Sequence, residues 1–236
     1  MATYVTADLH GYPAGDFDAL LKKGGFTSGD DLFVLGDVID RNGDGGVGLL
    51  RRLMCMPNAF FILGNHEKMM LDSEFVFKEI TEENLCCIDA SQMDAFSTWM
   101  ANGGDVTLGA LKIINKTDPG LISEIYSYLA EAPLYEVIDA GGREFLLVHA
   151  GLGGFSKDKK LSSYTPDELL WTRPALSDRY FENAVTVFGH TPTDFYGEEH
   201  SGRIIRTDTW INIDTGAAHG GKPTLLRLDD LKEFRL

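Results

Sequence analysis

The chain has 236 residues, of which 44% are hydrophobic and 24% are charged, so it is long and apolar enough to bury a sizeable core. Its formal net charge of -15 argues against a nucleic-acid partner, because nucleic-acid binders usually present a basic face. No apolar stretch approaches the roughly 20 residues that a membrane span needs, and the first residues show no signal-peptide pattern. We therefore expect a cytoplasmic protein that binds neither nucleic acid nor membranes.

Three apolar runs in the first quarter of the chain predict strands that are buried on both faces. They are "ATYVTAD" (2–8), "DLFVLGD" (31–37) and "AFFILGN" (59–65). Helical patterns separate them: "DFDALLKKGG" (16–25) has Asp16 as a candidate N-cap and Gly24 as a stop, and "GVGLLRRLMCM" (46–56) supplies a second helix. This alternation predicts parallel strands joined by right-handed crossovers, and hence an α/β fold.

The middle of the chain, from about residue 68 to residue 136, has a mainly helical pattern. Its clearest helix is "DPGLISEIYSYLAEAP" (118–133), with Asp118 as N-cap and Pro119 at the first helical position. Apolar runs then return as "EFLLVHAG" (144–151), "AVTVFGHTP" (184–192), "WINIDTG" (210–216) and "TLLRL" (224–228). We expect a second, largely antiparallel sheet that packs on the first, and a single domain over residues 1–236 with a helical insert at about 68–136.

Most of the apolar runs end in a residue that can bind a metal ion. These residues are Asp8, His10, Asp37, Asn65, His149 and His190. A single such residue after a strand is usually a turn former, a helix cap or an ordinary histidine, but coincidence at five strand ends is far less common. Because the carboxyl ends of strands in an open α/β sheet face one crevice, we expect these side chains to converge. Oxygen and imidazole ligands without a thiolate suit Mn, Fe, Zn or Ni better than a pure Mg or Ca cage.

The charge of this ligand set leaves room for a phosphate. Two divalent ions contribute +4, the carboxylates of Asp8 and Asp37 contribute -2, a bridging hydroxide contributes -1, and Asn65 and the histidines contribute nothing. The residual +1 would attract a phosphate locally, although the chain as a whole is acidic. Two ions about 3.5 to 4 Å apart would then share the phosphate.

Five short motifs occur in an order that resembles the phosphoprotein phosphatase (PPP) family, especially its bacterial and phage lambda type serine/threonine protein phosphatases. The motifs are "DLHG" (8–11), "GDVIDR" (36–41), "GNHE" (64–67), "HAG" (149–151) and "GHTP" (189–192). The similarity extends to "ANGGD" (101–105), "LLWTR" (169–173) and "NIDTGAAHGG" (212–221), and so covers almost the whole chain. The resemblance implies a calcineurin-like metallophosphoesterase domain, in which helices flank a two-sheet β-sandwich.

The resemblance also implies two divalent metal ions as cofactors, with manganese expected and iron or zinc as alternatives. The ligands of the first ion would be Asp8, His10 and Asp37. The ligands of the second ion would be Asp37 as a bridge, Asn65, His149 and His190. A water or hydroxide that bridges the two ions would attack phosphorus directly, so we expect no covalent phosphoenzyme.

In the same resemblance, His66 is the general acid that protonates the leaving alcohol oxygen, and Asp40 orients it and stabilises its imidazolium form. Arg41 and Arg173, together with the amide of Asn65, would bind the substrate, because planar guanidinium groups match phosphoryl oxygens. Glu67 has an equally good structural interpretation as a first-turn carboxylate that the helix dipole favours.

These features favour hydrolysis of phosphomonoesters, most of all phosphoserine or phosphothreonine in a phosphoprotein or phosphopeptide. The rival within hydrolases is a symmetrical dinucleoside tetraphosphatase. That group resembles "GNHD" and lacks the acidic residue before the arginine of the second motif, whereas this chain has Glu67 and Asp40.

Two features stay open. "GDGGVG" (43–48) fits the G-x-G-x-x-G pattern of a dinucleotide-binding module, but it follows the second strand with "DVIDR" in between, so the signal is weak. The same segment replaces the Gly and Pro that usually follow the second motif in the PPP family. His219 is either an exposed loop histidine or a contact to substrate or to metal-bound water.

Overall fold

The computed structural model of the protein describes residues 1–77 and 89–236, and its strands form two five-stranded sheets. In chain order the strands are β1 (Thr3–Thr6), β2 (Asp31–Val34), β3 (Ala59–Phe61), β4 (Tyr135–Ala140), β5 (Arg143–Val148), β6 (Ala184–Phe188), β7 (Ile205–Arg206), β8 (Trp210–Asn212), β9 (Leu225–Arg227) and β10 (Lys232–Phe234). The α-helices of the described residues are α1 (Ala14–Gly24), α2 (Val47–Met54), α3 (Asn65–Asp72), α4 (Ala90–Ala101), α5 (Gly104–Thr117), α6 (Pro119–Ala130) and α7 (Pro166–Leu170). The predicted α/β fold with two sheets is confirmed.

The first sheet has the strand order β10-β9-β1-β2-β3. Its β1, β2 and β3 are parallel, with Thr3 opposite Asp31 and Leu32 opposite Ala59, as the alternation of strands and helices predicted. The run "TLLRL", expected in the second sheet, instead forms β9, which pairs antiparallel with β1. The end of the chain therefore returns to the first sheet and covers the outer edge of β1.

The second sheet has the order β4-β5-β6-β8-β7, and the prediction that it is largely antiparallel is wrong. β5 and β6 are parallel, and so are β6 and β8, whereas β4–β5 and β7–β8 are antiparallel. Long connections follow β5 and β6, and they carry the chain back across the sheet so that the next central strand runs in the same direction. The carboxyl ends of β5 and β6 consequently lie at one edge.

Apolar side chains fill the space between the two sheets and also cover both outer faces. Val5 and Phe33 of the first sheet pack with Phe145 and Val187 of the second. The outer face of the first sheet packs against α1, α2, α3 and α6, and the outer face of the second packs against α7 and its flanking loops. Both sheets are thus buried on two faces, which explains their nearly continuous apolar runs.

The helix boundaries correct one prediction and confirm another. Asp16 is not an N-cap: α1 begins at Ala14, so the carboxylate lies in the first turn, where the helix dipole favours it. Gly24 is the last residue of α1, and the left-handed C-cap is Gly25, with φ of 78°. At α6 the side chain of Asp118 accepts a hydrogen bond from the backbone N–H of Leu121, as predicted.

The described part of the expected insert, residues 68–136, is mostly helical: α4, α5 and α6 follow α3 and a short 3-10 turn at Glu74–Phe77. Residues 78–88 of this segment lie outside the described residues. Among the helices that the structure describes, none is long and apolar enough to cross a membrane.

Candidate metal centre and active site

The predicted ligands lie beyond the carboxyl ends of five strands, in loops or, for Asn65, at the start of α3, and the two sheets bring them together. Asp37 is central: its carboxylate lies 3.6 Å from His10 Nε2 and 3.5 Å from His149 Nε2. The amide oxygen of Asn65 lies 2.8 Å from His149 Nε2 and 2.9 Å from His190 Nδ1. All of these side chains are buried. The predicted convergence therefore holds for His10, Asp37, Asn65, His149 and His190.

Two groups of side chains in this cluster could each hold a metal ion. One consists of His10, Asp37 and His66, and the other of Asp37, His149 and His190; within each group, one potential ligand atom per residue lies within 4.8 Å of the others. Asp37 belongs to both groups. The carboxylate of Asp8 instead accepts a hydrogen bond of 2.9 Å from the backbone N–H of His190.

The chemistry of the donor set fits divalent cations. Burial lowers the pKa of His10 to about 3 and also lowers the pKa of His149, so both imidazoles are neutral and able to ligate. His190 Nε2 is buried and has no hydrogen-bond partner among the described residues. Burial, together with the charges of Asp214 and Asp37, raises the pKa of Asp8 well above its ordinary value. A cation would relieve this crowding of carboxylates and would give the imidazole a partner.

The backbone at these loops is strained. Six site residues have left-handed φ angles, and in the described part of the chain only Leu231 shares this feature among non-glycine residues. The six are Asp8 (53°), His10 (39°), Asp37 (52°), Asp40 (73°), Arg41 (69°) and His190 (63°). Such conformations cost about 1 to 3 kcal/mol each and concentrate at functional sites. The surrounding packing must therefore hold them in place.

Glu67 is part of the site's support. Its carboxylate is fully buried and accepts hydrogen bonds from the backbone N–H groups of Asp37 (2.8 Å), Val38 (2.8 Å) and Ile39 (3.2 Å). These contacts fix the loop that carries Asp37 and Asp40. They give Glu67 a definite structural role that the helix-dipole interpretation does not describe.

His66 and Asp40 form a buried pair at one end of the cluster. His66 Nδ1 lies 2.6 Å from Asp40 Oδ2, and His66 Nε2 lies 3.2 Å from an amino group of Arg41. Burial by itself lowers the pKa of His66, but the carboxylates of Asp37 and Asp40 outweigh it and raise the pKa above its ordinary value. Nδ1 thus carries the proton toward Asp40, and Nε2 accepts a hydrogen bond from the Arg41 guanidinium, which a substrate would replace.

A cavity of about 540 Å³ opens onto the cluster, and both predicted arginines line it. Arg41 lies beside His66, and Arg173 lies 3.4 Å from the carbonyl oxygen of His190. Trp171 and Phe195 also line this cavity. His219 is exposed and lies on its wall, so both interpretations of this residue remain compatible with its position.

Sequence reasoning missed Asp214, Trp99 and Thr107. Asp214 is buried, lines the cavity and lies two residues after the end of β8; burial raises its pKa to about 7. The rule that found the other strand-end residues applies equally to Asp214. Trp99 and Thr107 contact Asp40 from the helical insert and carry no local signal.

Close packing accounts for the glycines of "GDGGVG" without a nucleotide. Gly45 and Gly46 have φ angles of 69° and 76°, and a Cβ at either position would overlap the backbone, of Thr107 or of Val38. Gly43 packs in the same way against the carbonyl oxygen of Gly11. These glycines let their loop fit between α5 and the loops that follow β1 and β2.

The chain is similar in sequence or in fold to several known phosphoesterases. Over 97% of its length the chain is 24% identical to the asymmetrical bis(5'-nucleosyl)-tetraphosphatase PrpE of Geobacillus sp. (strain WCH70), 91% of which is covered. Among solved structures it is similar to a putative diadenosine tetraphosphatase, with a TM-score of 0.64, 16% identity and coverage of 99% of this chain and 92% of that one. A protein serine/threonine phosphatase from Saccharomyces cerevisiae matches with a TM-score of 0.59, 16% identity and coverage of 97% and 72%.

The two structural matches show a shared fold. The family model for calcineurin-like phosphoesterases matches residues 1–231, which is nearly the entire chain. The chain therefore belongs to the calcineurin-like phosphoesterase family.

Proposed function

We propose that the protein is a phosphatase of the phage lambda and bacterial PPP type, which hydrolyses phosphoserine or phosphothreonine in proteins. One observation carries this proposal: a buried His66–Asp40 pair adjoins the same cavity as the candidate metal cluster. The pair supplies a proton donor for a leaving oxygen, and the cluster supplies a place for the phosphoryl group.

The rate gained from a general acid depends on how basic the leaving group is. A serine or threonine alkoxide is far more basic than a nucleotide leaving group, whose terminal phosphate has a second pKa of about 6. Cleavage of an ester therefore gains much more from protonation than cleavage of a phosphoric anhydride does. A held imidazole commonly contributes about 10² to 10⁴ in rate when the leaving group needs a proton. The His66–Asp40 pair thus favours an ester substrate.

The proposed ligands of the two ions are the residues given by the sequence, namely Asp8, His10, Asp37, Asn65, His149 and His190. When bound, divalent ions would polarise the phosphoryl oxygens and make water acidic enough to attack. We propose manganese as the preferred ion, with iron or zinc as alternatives; donors of oxygen and imidazole nitrogen are compatible with all three.

The remaining steps belong to side chains of this chain. Arg41, Arg173 and Asn65 line the same cavity, and we propose that the planar forks of the two arginines and the Asn65 amide bind the phosphoryl oxygens. His66 would give its Nε2 proton to the departing alcohol oxygen as water attacks phosphorus from the opposite side. Throughout the reaction Asp40 would accept a hydrogen bond from the Nδ1–H of His66. Its carboxylate would stabilise the imidazolium until Nε2 gives up its proton.

A second candidate is hydrolysis of dinucleoside tetraphosphates. The names of two similar proteins favour it: the Geobacillus relative and the structure of a putative diadenosine tetraphosphatase. Asp40 and Glu67 count against a symmetrical tetraphosphatase, because that group lacks the acidic residue before the arginine and resembles "GNHD". The Geobacillus relative is named as asymmetrical, so this contrast does not apply to its type.

Product analysis separates the two candidates. The manganese-loaded protein is incubated side by side with a phosphoserine peptide and with diadenosine tetraphosphate, next to a chelated control. We expect inorganic phosphate from the peptide and little nucleotide product. An untouched peptide with rapid release of ADP, or of ATP and AMP, would replace the protein-phosphatase proposal with nucleotide hydrolysis.

A further inference from the structure

The carboxylate of Asp40 is held from more sides than its partnership with His66 requires. It is fully buried, and its residue has a left-handed backbone with φ of 73°. Besides His66, the indole N–H of Trp99 donates to Oδ2 (2.9 Å) and Oδ1 (3.1 Å), and the hydroxyl of Thr107 donates to Oδ1 (2.6 Å). The Thr107 oxygen also accepts the backbone N–H of Asp40 at 2.9 Å. Both oxygens of the carboxylate are thus fixed.

These extra donors come from the helical insert. Trp99 lies on α4 and Thr107 on α5, 59 and 67 residues along the chain from Asp40. Both are buried, and neither is among the described residues that line the cavity or form the candidate metal groups. Among the predicted site residues, Asp40 is the one to which both side chains donate, so we expect their effect on the reaction to pass through Asp40.

The turn between α4 and α5 is shaped to bring these donors close. Gly104 packs so tightly on the Trp99 ring that a Cβ would overlap the indole nitrogen. The carbonyl oxygen of Gly103 accepts the backbone N–H of Arg41 at 3.1 Å. The "ANGGD" motif, which has no role in binding the ions, therefore joins the insert to the Asp40–Arg41 segment.

We infer that Trp99 and Thr107 are positioning residues for proton donation, and that the helical insert serves to hold the His66–Asp40 pair in its working geometry. A carboxylate fixed at both oxygens keeps the imidazole in one orientation and in the tautomer with Nδ1 protonated. Loss of either donor lets the carboxylate rotate and leaves Nε2 misdirected. This inference rests on the proposed function, because an ester substrate is what makes the proton necessary.

The kinetic test compares Trp99→Phe and Thr107→Val with two matched controls. Trp210→Phe removes a buried indole whose N–H donates to the carbonyl oxygen of Asp178, and Thr186→Val removes a buried hydroxyl that has no partner among the described residues. We expect the two test variants to lower kcat on a phosphoserine peptide by about 10-fold to 100-fold, within the range of general acid catalysis, with KM nearly unchanged. On p-nitrophenyl phosphate, which has a good leaving group, the loss should be less than about threefold.

A double-mutant cycle asks whether the effect passes through Asp40. In an Asp40→Asn background, Trp99→Phe and Thr107→Val should cause little further loss, because the group that they position is already changed. Equal losses on both substrates, or losses that multiply fully with Asp40→Asn, would overturn the inference. Equal losses in the Trp210 and Thr186 controls would also overturn it, because they would indicate a general effect on the core.

A spectroscopic readout keeps the inference testable whatever the substrate is. In zinc-loaded protein with ¹⁵N-labelled histidine, the Nδ1 proton of His66 should give a downfield signal, assigned by its loss in His66→Asn. We expect Trp99→Phe to shift or broaden this signal and Trp210→Phe to leave it unchanged. An unchanged signal in Trp99→Phe would reject the positioning role, whereas a failure of the peptide assay alone would reject only the proposed function.

Discussion

The site has two ends, the metal-ligand cluster and the His66–Asp40 pair, and different parts of the fold support them. The metal ligands expected from the sequence follow strand ends of both sheets, and much of their support comes from backbone groups, as in the hydrogen bond from His190 N–H to Asp8. The His66–Asp40 end rests on a loop, on the start of α3 and on side chains of two helices in the insert. Damage to one end should therefore leave the other largely intact.

Removal of the metal ions tests the metal-ligand cluster and should have the largest effect on activity. Thorough chelation should abolish phosphate release from a phosphoserine peptide, and added manganese should restore it, because the ions polarise the phosphoryl group and activate water. The control is the chelated protein treated with the same buffer without manganese. Full activity after chelation, with metal content verified as negligible, would remove the metal-centre account.

Asp40→Asn tests the His66–Asp40 pair and should leave the metal ions in place. An amide cannot accept both the indole and hydroxyl hydrogen bonds and also stabilise an imidazolium, so kcat on the peptide should fall by about 10² to 10⁴. Metal content, measured by elemental analysis, should match the wild type. Asp139→Asn on the exposed side of β4 is the control. Loss of both ions in Asp40→Asn would show that the two ends are not separable.

Arg173→Ala should have a smaller effect, because it removes one charged contact to the phosphoryl group. Hydrogen bonds to charged groups contribute about 1.5 to 3 kcal/mol, which corresponds to about 10-fold to 100-fold in kcat/KM. Exposed Arg179→Ala serves as the control. If kinetics on phosphopeptides are unchanged in Arg173→Ala, the "WTR" motif does not contribute to substrate binding.

Glu67→Gln tests the support of the loop that joins the two ends. The amide would direct N–H groups at buried backbone donors, so we expect the free energy of unfolding to fall by about 1 to 3 kcal/mol. Urea denaturation of metal-free protein measures this quantity, and exposed Glu182→Gln is the matched control. A stability equal to that of the wild type would mean that the three backbone contacts of Glu67 contribute little.

Local sequence signals predicted well that the polar residues at the strand ends lie close together. The carboxyl ends of parallel strands share one edge, so Asp37 and Asn65 could be placed together without a structure. The same rule would have included Asp214 if "WINIDTG" had been treated like the earlier runs. The direction of β6 and β8 could not be read from their own residues, because it depends on the path of long connections.

At the His66–Asp40 pair, the sequence indicated the pair itself but not the residues that support it. The motif resemblance pointed to His66 and Asp40, but Trp99 and Thr107 look like ordinary core residues of amphipathic helices. Their contacts to Asp40 join parts of the chain about 60 residues apart, and no periodicity or cap signal records such a pairing. The role of Glu67 was hidden for the same reason, because its partners are backbone groups of a different loop.

The central claim is that His66 protonates the leaving oxygen of a phosphoester held at the metal centre. The most direct test is the loss that His66→Asn causes on two substrates of the manganese-loaded protein. The control is His200→Asn, at a half-buried histidine on the 3-10 turn Glu198–His200. The account predicts that kcat falls by about 10² to 10⁴ on a phosphoserine peptide but far less on p-nitrophenyl phosphate, whose leaving group needs no proton. Equal losses on both substrates, with metal content unchanged, would contradict it.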